Sequence, residues 1–379
     1  MRILLTEVGN ASPGDEAITI AAAKRLSGFG CELTVAYRTS LADSFGRAGI
    51  SAEHVHAPIA PVGPLYATAE ALLAGVQAQQ PQTFERLGGM VKGVDAVCVV
   101  PGGKFLDGFD NSLKLLAIAL ARRMGIPYLI LHQSVGPLTD RNELDLLQEV
   151  FRDAALVVAR DHKTFEFLTS LGLSQHRLVL GADAAMSENY PESQSTPYAL
   201  GVNLRWSALG HSTPAGLRGL LGRFRDFDPR SRALIYSTTT TLPPEVLAVA
   251  EEFGCEHHAA WCRSPDYLQL VGACRVNVTD SFHGVIFSLQ ANVPTVCLQA
   301  DMRSWKLQGL RGTRGECLDI FPGLAAQTAA TAVAEEVCKT LGSPEYCEKQ
   351  LQRQAAILAA GRSGAEEGWQ SVYHALGRL

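Results

Sequence analysis

The sequence has no Cys-x-x-Cys pair, no surplus of positive charge, no Gly-x-Gly-x-x-Gly and no unbroken apolar run of membrane length. Each absence removes a class of protein. The nine cysteines are scattered and odd in number, which suits reduced thiols in a cytosol better than a disulfide framework. A formal net charge of −5 argues against nucleic acid as a main partner, because phosphates are met with a basic field. The most apolar region, Leu113 to Leu131, is broken by Arg122-Arg123 and by Gly125-Ile126-Pro127, so it is not expected to cross a bilayer. The opening Met1-Arg2-Ile3-Leu4-Leu5-Thr6-Glu7 reaches an acidic residue too early for a secretory signal. No internal repeat or low-complexity tract is visible. A soluble cytoplasmic protein is the expectation.

What is present is globular in composition, 47% hydrophobic against 19% charged. A chain of 379 residues exceeds one ordinary core, so two domains are expected. Short apolar runs at Arg2–Val8, Cys31–Arg38, Asp95–Val100, Tyr128–His132, Leu156–Ala159 and Arg177–Leu180 read as strands, with helical stretches at Asp15–Leu26, Ser112–Met124, Asn142–Ala154 and Lys163–Leu171. This alternation predicts a parallel sheet covered on both faces. The polar, twice-proline stretch Ser187 to Pro197 interrupts it as a linker. Strands at Tyr198–Leu204, Ala233–Tyr236, Cys274–Val278 and Thr295–Leu298 then resume the rhythm.

The fold class expected is α/β, two doubly wound Rossmann-like domains with a helical C-terminal tail. The domains are read as 1–186 and 198–342, joined by 187–197, with the tail at 343–379. Residues 327–379 read as wholly helical, with a break near Gly342-Ser343-Pro344. In such sheets ligands meet the carboxyl ends of strands, where helix N-termini point their amides. A cleft between the two domains is the default site.

Five strand-end loops carry candidate chemistry. Gly9 to Glu16 includes Gly14 and Asp15; glycines allow close backbone approach, while Asp15 reads equally as a ligand contact or a helix N-cap. Val99 to Phe105 carries Gly103 and Lys104, suited to an anion or simply to a solvated turn. His132 to Pro137 runs into a Gly-Pro break. Arg160 and Asp161 either serve a ligand or pair and cap the next helix. In the second domain Arg205 closes the strand Gly201-Val202-Asn203-Leu204, where a guanidinium can grip carboxylate or phosphate in a bidentate fork.

The sharpest feature is Thr279-Asp280-Ser281-Phe282-His283-Gly284, a strand end running into an apolar helix closed by Asn292-Val293-Pro294. Asp280-Ser281 is a helix start signal. A helix start offers unpaired amides and a positive dipole end, so His283 beside it can pass a proton to a bound anion. Two other clusters are set aside. The set from Cys255 to Cys262 lacks zinc-site spacing, and its adjacent His257 and His258 would point oppositely on a strand. The basic run Arg218 to Arg232 reads as a solvated helix face, with peripheral contact to an anionic membrane as the alternative.

Taken in order, GNASPGDEAI, VVPGGKFLDGF, HQSVGPL, VARDHKTFEFLTSLG, GADAAM, GVNLRW and TDSFHGVIFSLQANVPTV resemble the polysaccharide pyruvyl transferases, from Met1 to about Gly312. The resemblance implies a GT-B-like pair of domains, the first on the acceptor side and the second on the donor side. It implies pyruvyl transfer from phosphoenolpyruvate to saccharide hydroxyls on a lipid-linked or nucleotide-linked acceptor, with no cofactor and no dedicated metal. By motif match His283 takes the place of the catalytic His and Arg205 that of an Arg holding the donor. The strand-end residues Gly14, Asp15, Gly103, Ser281 and Gly284 are the further candidates for substrate contact. Members often carry Arg two residues before the His, where this chain has Ser281. Lys306, Arg303, Lys104 or Arg160 would then supply the missing charge. A GT-B glycosyltransferase using a nucleotide sugar, or an inactive relative, is the competing reading; Ile286 to Leu298 contains no acidic residue to bind a ribose, which counts against the former.

Overall fold

The computed structural model describes residues 1–9, 12–37, 40–57, 66–107, 111–188, 196–206, 211–237, 241–258, 263–299, 304–312 and 315–379, without the side chains of residues 104, 112, 113 and 304. The chain divides into two compact units. The first comprises Met1–Asn10, Asp15–Ser187 and Arg362–Leu379; the second comprises Ala11–Gly14 and Glu188–Gly361.

The first unit is built on β1 (Arg2–Val8), β2 (Glu32–Tyr37), β3 (Ala52–His56), β4 (Ala96–Val99), β5 (Gly102–Phe105), β6 (Tyr128–Val135), β7 (Leu156–Ala159) and β8 (Leu178–Leu180). They lie in the order β3-β2-β1-β4-β6-β7-β8, with β5 also on β6, and every pairing is parallel. The centre is apolar on both faces: all of β4, β6 and β7 is buried. That is why these segments read as continuous hydrophobic runs and not as alternating ones. Helices Ala69–Gln79, Pro81–Lys92, Asn111–Met124 and Arg141–Asp153 contribute to the main core, around Leu72, Leu116, Leu120, Leu147 and Phe151.

The second unit holds β9 (Tyr198–Asn203), β10 (Ala233–Tyr236), β11 (Glu256–His258), β12 (Cys274–Thr279), β13 (Thr295–Leu298) and β14 (Ile320–Phe321). Their order is β11-β10-β9-β12-β13-β14, again all parallel. Helix Gln327–Gly342 packs on Pro214–Phe227, and the approach is close: a Cβ on Gly219 would lie 3.0 Å from Gln327 Nε2 and 3.3 Å from Ala330 Cβ.

The expected helical tail is two helices, Gln327–Gly342 and Pro344–Leu376, broken at Ser343. The longer one contributes residues to both units, because Arg362 onward groups with the first. There Gly364 and Gly368 let it settle on Gly181 and His132, and Trp369 is fully buried against the His132 ring. No helix among the described residues is long and apolar enough to cross a membrane. The basic run is largely consumed internally: Arg218 pairs with Glu252, Arg232 with Glu256, and Arg225 donates to the carbonyls of Pro229, Ser231 and Phe253.

Candidate functional site

In the second unit the carboxyl ends of β9 and β12 lie side by side, with Asn203 in register with Thr279. Beyond Thr279 the chain turns at Asp280 and enters helix Phe282–Gln290. Ser281 is its N-cap, and the hydroxyl accepts the Gly284 amide at 3.4 Å. His283 is therefore the second helical residue, at the positive end of the dipole. Beside it, Gly284 is dictated by space: a Cβ there would lie 2.4 Å from Thr279 Oγ1 and 3.3 Å from Asn203 Oδ1. Gly14 is dictated by the same site. A Cβ on it would lie 2.0 Å from His283 Nδ1 and 2.5 Å from His283 Cβ.

Arg205 is held by the residue that the start signal had suggested as a cap. Asp280 is 4% exposed, and its two oxygens accept the Arg205 amide at 3.0 and 3.2 Å. The guanidinium returns to the same residue, donating from Nη2 to the Asp280 carbonyl at 2.9 Å and standing 3.7 Å from the carboxylate through Nε. The Arg205 side chain keeps 28% exposure. One carboxylate thus fixes the backbone and the charge of a cation that still reaches solvent.

The carboxyl edge of the first unit is irregular. Register shifts interrupt β1 between Leu5 and Val8, β5 between Gly102 and Phe105, and β6 between Ile130 and Gln133. Glu7 and His132 sit there with φ of 61° and 41°, in the left-handed region that non-glycine residues rarely occupy. Such bulges re-aim side chains where a sheet meets a functional edge. Gln133 uses its Nε2 to hold the Val100 carbonyl, and so sets the turn that precedes Gly103.

Arg160, expected at a substrate, lies inside this edge with 1% of its side chain exposed. It pairs with Asp183 at 2.7 Å and donates to Ser134 Oγ at 2.7 Å. The pairing-and-capping alternative describes Asp161: it caps helix His162–Ser170, accepting the Thr164 amide at 2.8 Å, and receives the Ser134 hydroxyl. Asp15 is not an N-cap. Helix Pro13–Gly28 starts with proline at its first position, which places Asp15 in the first turn, where a carboxylate favours the dipole. Gly103 lies in β5 with Lys104, whose side chain is outside the description, and Arg303 falls outside the described residues. Lys306 is 7% exposed in helix Ser304–Gln308 of the second unit.

Burial pushes the Cys255 thiol up to about 11 and those of Cys274 and Cys297 to about 12, so none of the three is a thiolate near neutrality. Among the described residues no group of three or more His, Cys, Asp or Glu could hold a metal; the set from Cys255 to Cys262 lies partly outside them. His132 is fully buried, and its Nδ1 stands 2.7 Å from the Ala182 carbonyl oxygen. Burial drives it down to about 4, against the opposing pull of that carbonyl and of Asp183. The folded form then binds fewer protons than the unfolded one below pH 6.5. Stability is complete above that value and falls as pH drops towards 4. Between pH 7 and 5 the loss is expected to be about 2 kcal/mol in urea unfolding. His132→Asn, which tolerates the same backbone, should flatten that slope; an unchanged slope would remove His132 as its source.

What sequence reading left unassigned is the support beneath the site: Asn203 and Thr279 as its floor, and Asp280 as the holder of Arg205. The available signal was polar residues ending two otherwise apolar strands, in GVNLRW and NVTDS.

Comparison with known proteins agrees with this geometry at the level of fold. The UDP complex of S. aureus MnaA superposes with a TM-score of 0.69 at 13% identity, covering 100% of this chain and 97% of that one. The UDP-GlcNAc 2-epimerase of Neisseria meningitidis, bound to UDP-GlcNAc, gives 0.66 at 12% identity with 100% of both chains covered. Spinosyn rhamnosyltransferase SpnG gives 0.58 at 15%, again over 100% of both. At such identities the likeness shows a shared GT-B-type architecture only. No curated relative matches the chain at a significant level. The sequence model of the polysaccharide pyruvyl transferase family matches residues 13–301, which include Gly14, the Arg205 strand end and the His283 helix. The chain belongs to the polysaccharide pyruvyl transferase family.

Proposed function

We propose that the protein transfers the pyruvyl group of phosphoenolpyruvate to two hydroxyls of a saccharide, closing a cyclic ketal in surface polysaccharide synthesis in the cytoplasm. The observation that carries this reading is the pairing of a fixed, partly exposed guanidinium with a His at a helix N-terminus, in a chain of this family. Phosphoenolpyruvate is a carboxylate and a phosphate on one enol, and it calls for both a cation and helix amides. Arg205 grips the anion. A saccharide hydroxyl adds to the enol carbon while protonated His283 delivers its proton to the methylene carbon, making it a methyl group, and the proton released by the hydroxyl restores the imidazolium. Phosphate then leaves with its bonding electrons, and a second hydroxyl of the same sugar attacks that carbon and loses its proton. No redox equivalent is consumed.

Ser281 stands where members often carry Arg, and here it caps the helix instead. Lys306, in the same unit, is the described residue best suited to supply the further positive charge. The acceptor is a lipid-linked or nucleotide-linked saccharide. Thermal unfolding with phosphoenolpyruvate, beside UDP and GDP, tests the donor. At a hundred times its dissociation constant a ligand stabilises by about 2.7 kcal/mol, a shift of several degrees. The shift should appear with phosphoenolpyruvate and vanish in Arg205→Ala, and His283→Ala should release no phosphate. The similarity to proteins solved with UDP and UDP-GlcNAc favours a second reading, a nucleotide-sugar enzyme. A shift with UDP alone would establish that reading and overturn the first.

A further inference from the structure

Beneath the helix Phe282–Gln290 runs a buried chain of polar side chains that the proposed reaction does not use. We propose that Asn203 is a positioning residue: one amide that sets both the Arg205 loop and the His283 turn. Asn203 is 2% exposed at the last position of β9. Its Oδ1 accepts from Tyr267 Oη at 2.9 Å and from Thr279 Oγ1 at 3.2 Å, while its Nδ2 donates to the Tyr236 carbonyl at 3.0 Å. Proton assignments follow from the chemistry. The Ser281 amide can only donate, and it does so to Thr279 Oγ1 at 3.1 Å. The single Thr279 proton is therefore free to go to Asn203. The amide has one workable orientation, because turning it over would set Oδ1 against the Tyr236 carbonyl.

A second branch reaches the same turn from below. Tyr236 Oη donates to Asn277 Oδ1 at 2.8 Å, Asn277 Nδ2 to Ser288 Oγ at 2.8 Å, and Ser288 Oγ to the Gly284 carbonyl at 2.7 Å. His283 thus lies between two anchored points, the Ser281 amide and the Gly284 carbonyl. Asn203 also stands two residues before Arg205, and Thr279 directly before Asp280, which holds Arg205. The Asn203–Thr279 hydrogen bond consequently locks together the two strand ends that carry the pair. Five members of the chain, Tyr236, Tyr267, Asn277, Thr279 and Ser288, have no exposure at all. Buried networks with every partner in place enforce one geometry, and catalytic placement is sensitive at the ångström level.

The inference rests on His283 and Arg205 acting together, but its test needs no ligand, so its failure is distinct from a failure of phosphoenolpyruvate to bind. Thr279→Val keeps the shape and removes both hydrogen bonds. In the full chain, the His283 ring resonances should lose their wild-type positions and broaden, whereas Thr279→Ser should restore them. Tyr267→Phe, which deletes one hydroxyl from the hub, should shift the same resonances by a smaller amount should Thr279→Val not fold. Wild-type His283 resonances in Thr279→Val, or in Tyr267→Phe if only that variant folds, would reduce the network to a purely structural role.

Discussion

Replacing Asp183 with Asn is expected to destabilise the first unit by about 3–5 kcal/mol, the usual cost of stripping one partner from a buried ion pair. Arg160 and Asp183 expose 1% and 0% of their side chains, so water cannot take over the lost role. The Asp183 carboxylate also accepts the Ala185 amide at 3.0 Å, and Arg160 holds Ser134, which donates to Asp161. One substitution therefore loosens the ends of β6 and β7 and the turn after β8 together. Urea unfolding of Asp183→Asn gives the single cost. The double variant Arg160→Met, Asp183→Leu should recover part of it, since removing both charges also removes their desolvation penalty. A single cost under about 1 kcal/mol would mean that the pair is not what holds this edge.

Such a pair marks the limit of sequence reading. VARDHKTF offers Arg160 and Asp161 as neighbours, which invites pairing them with each other or with a ligand, yet the partner of Arg160 lies 23 residues on. Buried central strands were legible because both faces are apolar: Arg2–Val8, Leu156–Ala159, Ala233–Tyr236 and Thr295–Leu298 lie where the hydrophobic runs place them. The polar edge strands, Ala52–His56 and Glu256–His258, were not. An edge strand meets solvent along one side and loses the apolar signature, and the second of these had been weighed only as a metal set. Gly102–Phe105 was read as a turn because two glycines head it. At the site, the N-cap signal found the helix start correctly but could not say which of Asp280 and Ser281 would cap. That choice depends on Arg205, 75 residues earlier.

Gly14→Ala sets two effects of opposite sign against each other. The residue lies in the first turn of helix Pro13–Gly28, where alanine alone would stabilise by about 1 kcal/mol. The three atoms nearest the new Cβ all belong to His283: Nδ1 at 2.0 Å, Cγ at 2.1 Å and Cβ at 2.5 Å. Contact that deep, reaching the root of the side chain, is not relieved by bending its far end. The ring must leave its position or the helix start must move, at a cost of about 1–3 kcal/mol. The network under Gly284 holds the turn, so the helix start and the His283 side chain should both shift, and turnover in the proposed reaction should drop about a hundredfold. A double-mutant cycle separates the terms. With His283→Gly already in place, all three of those contacts are gone, and Gly14→Ala should cost much less than it does alone. If the single substitution is itself stabilising and turnover is kept, the ring yields freely, and His283 is not fixed tightly enough to place a proton on carbon.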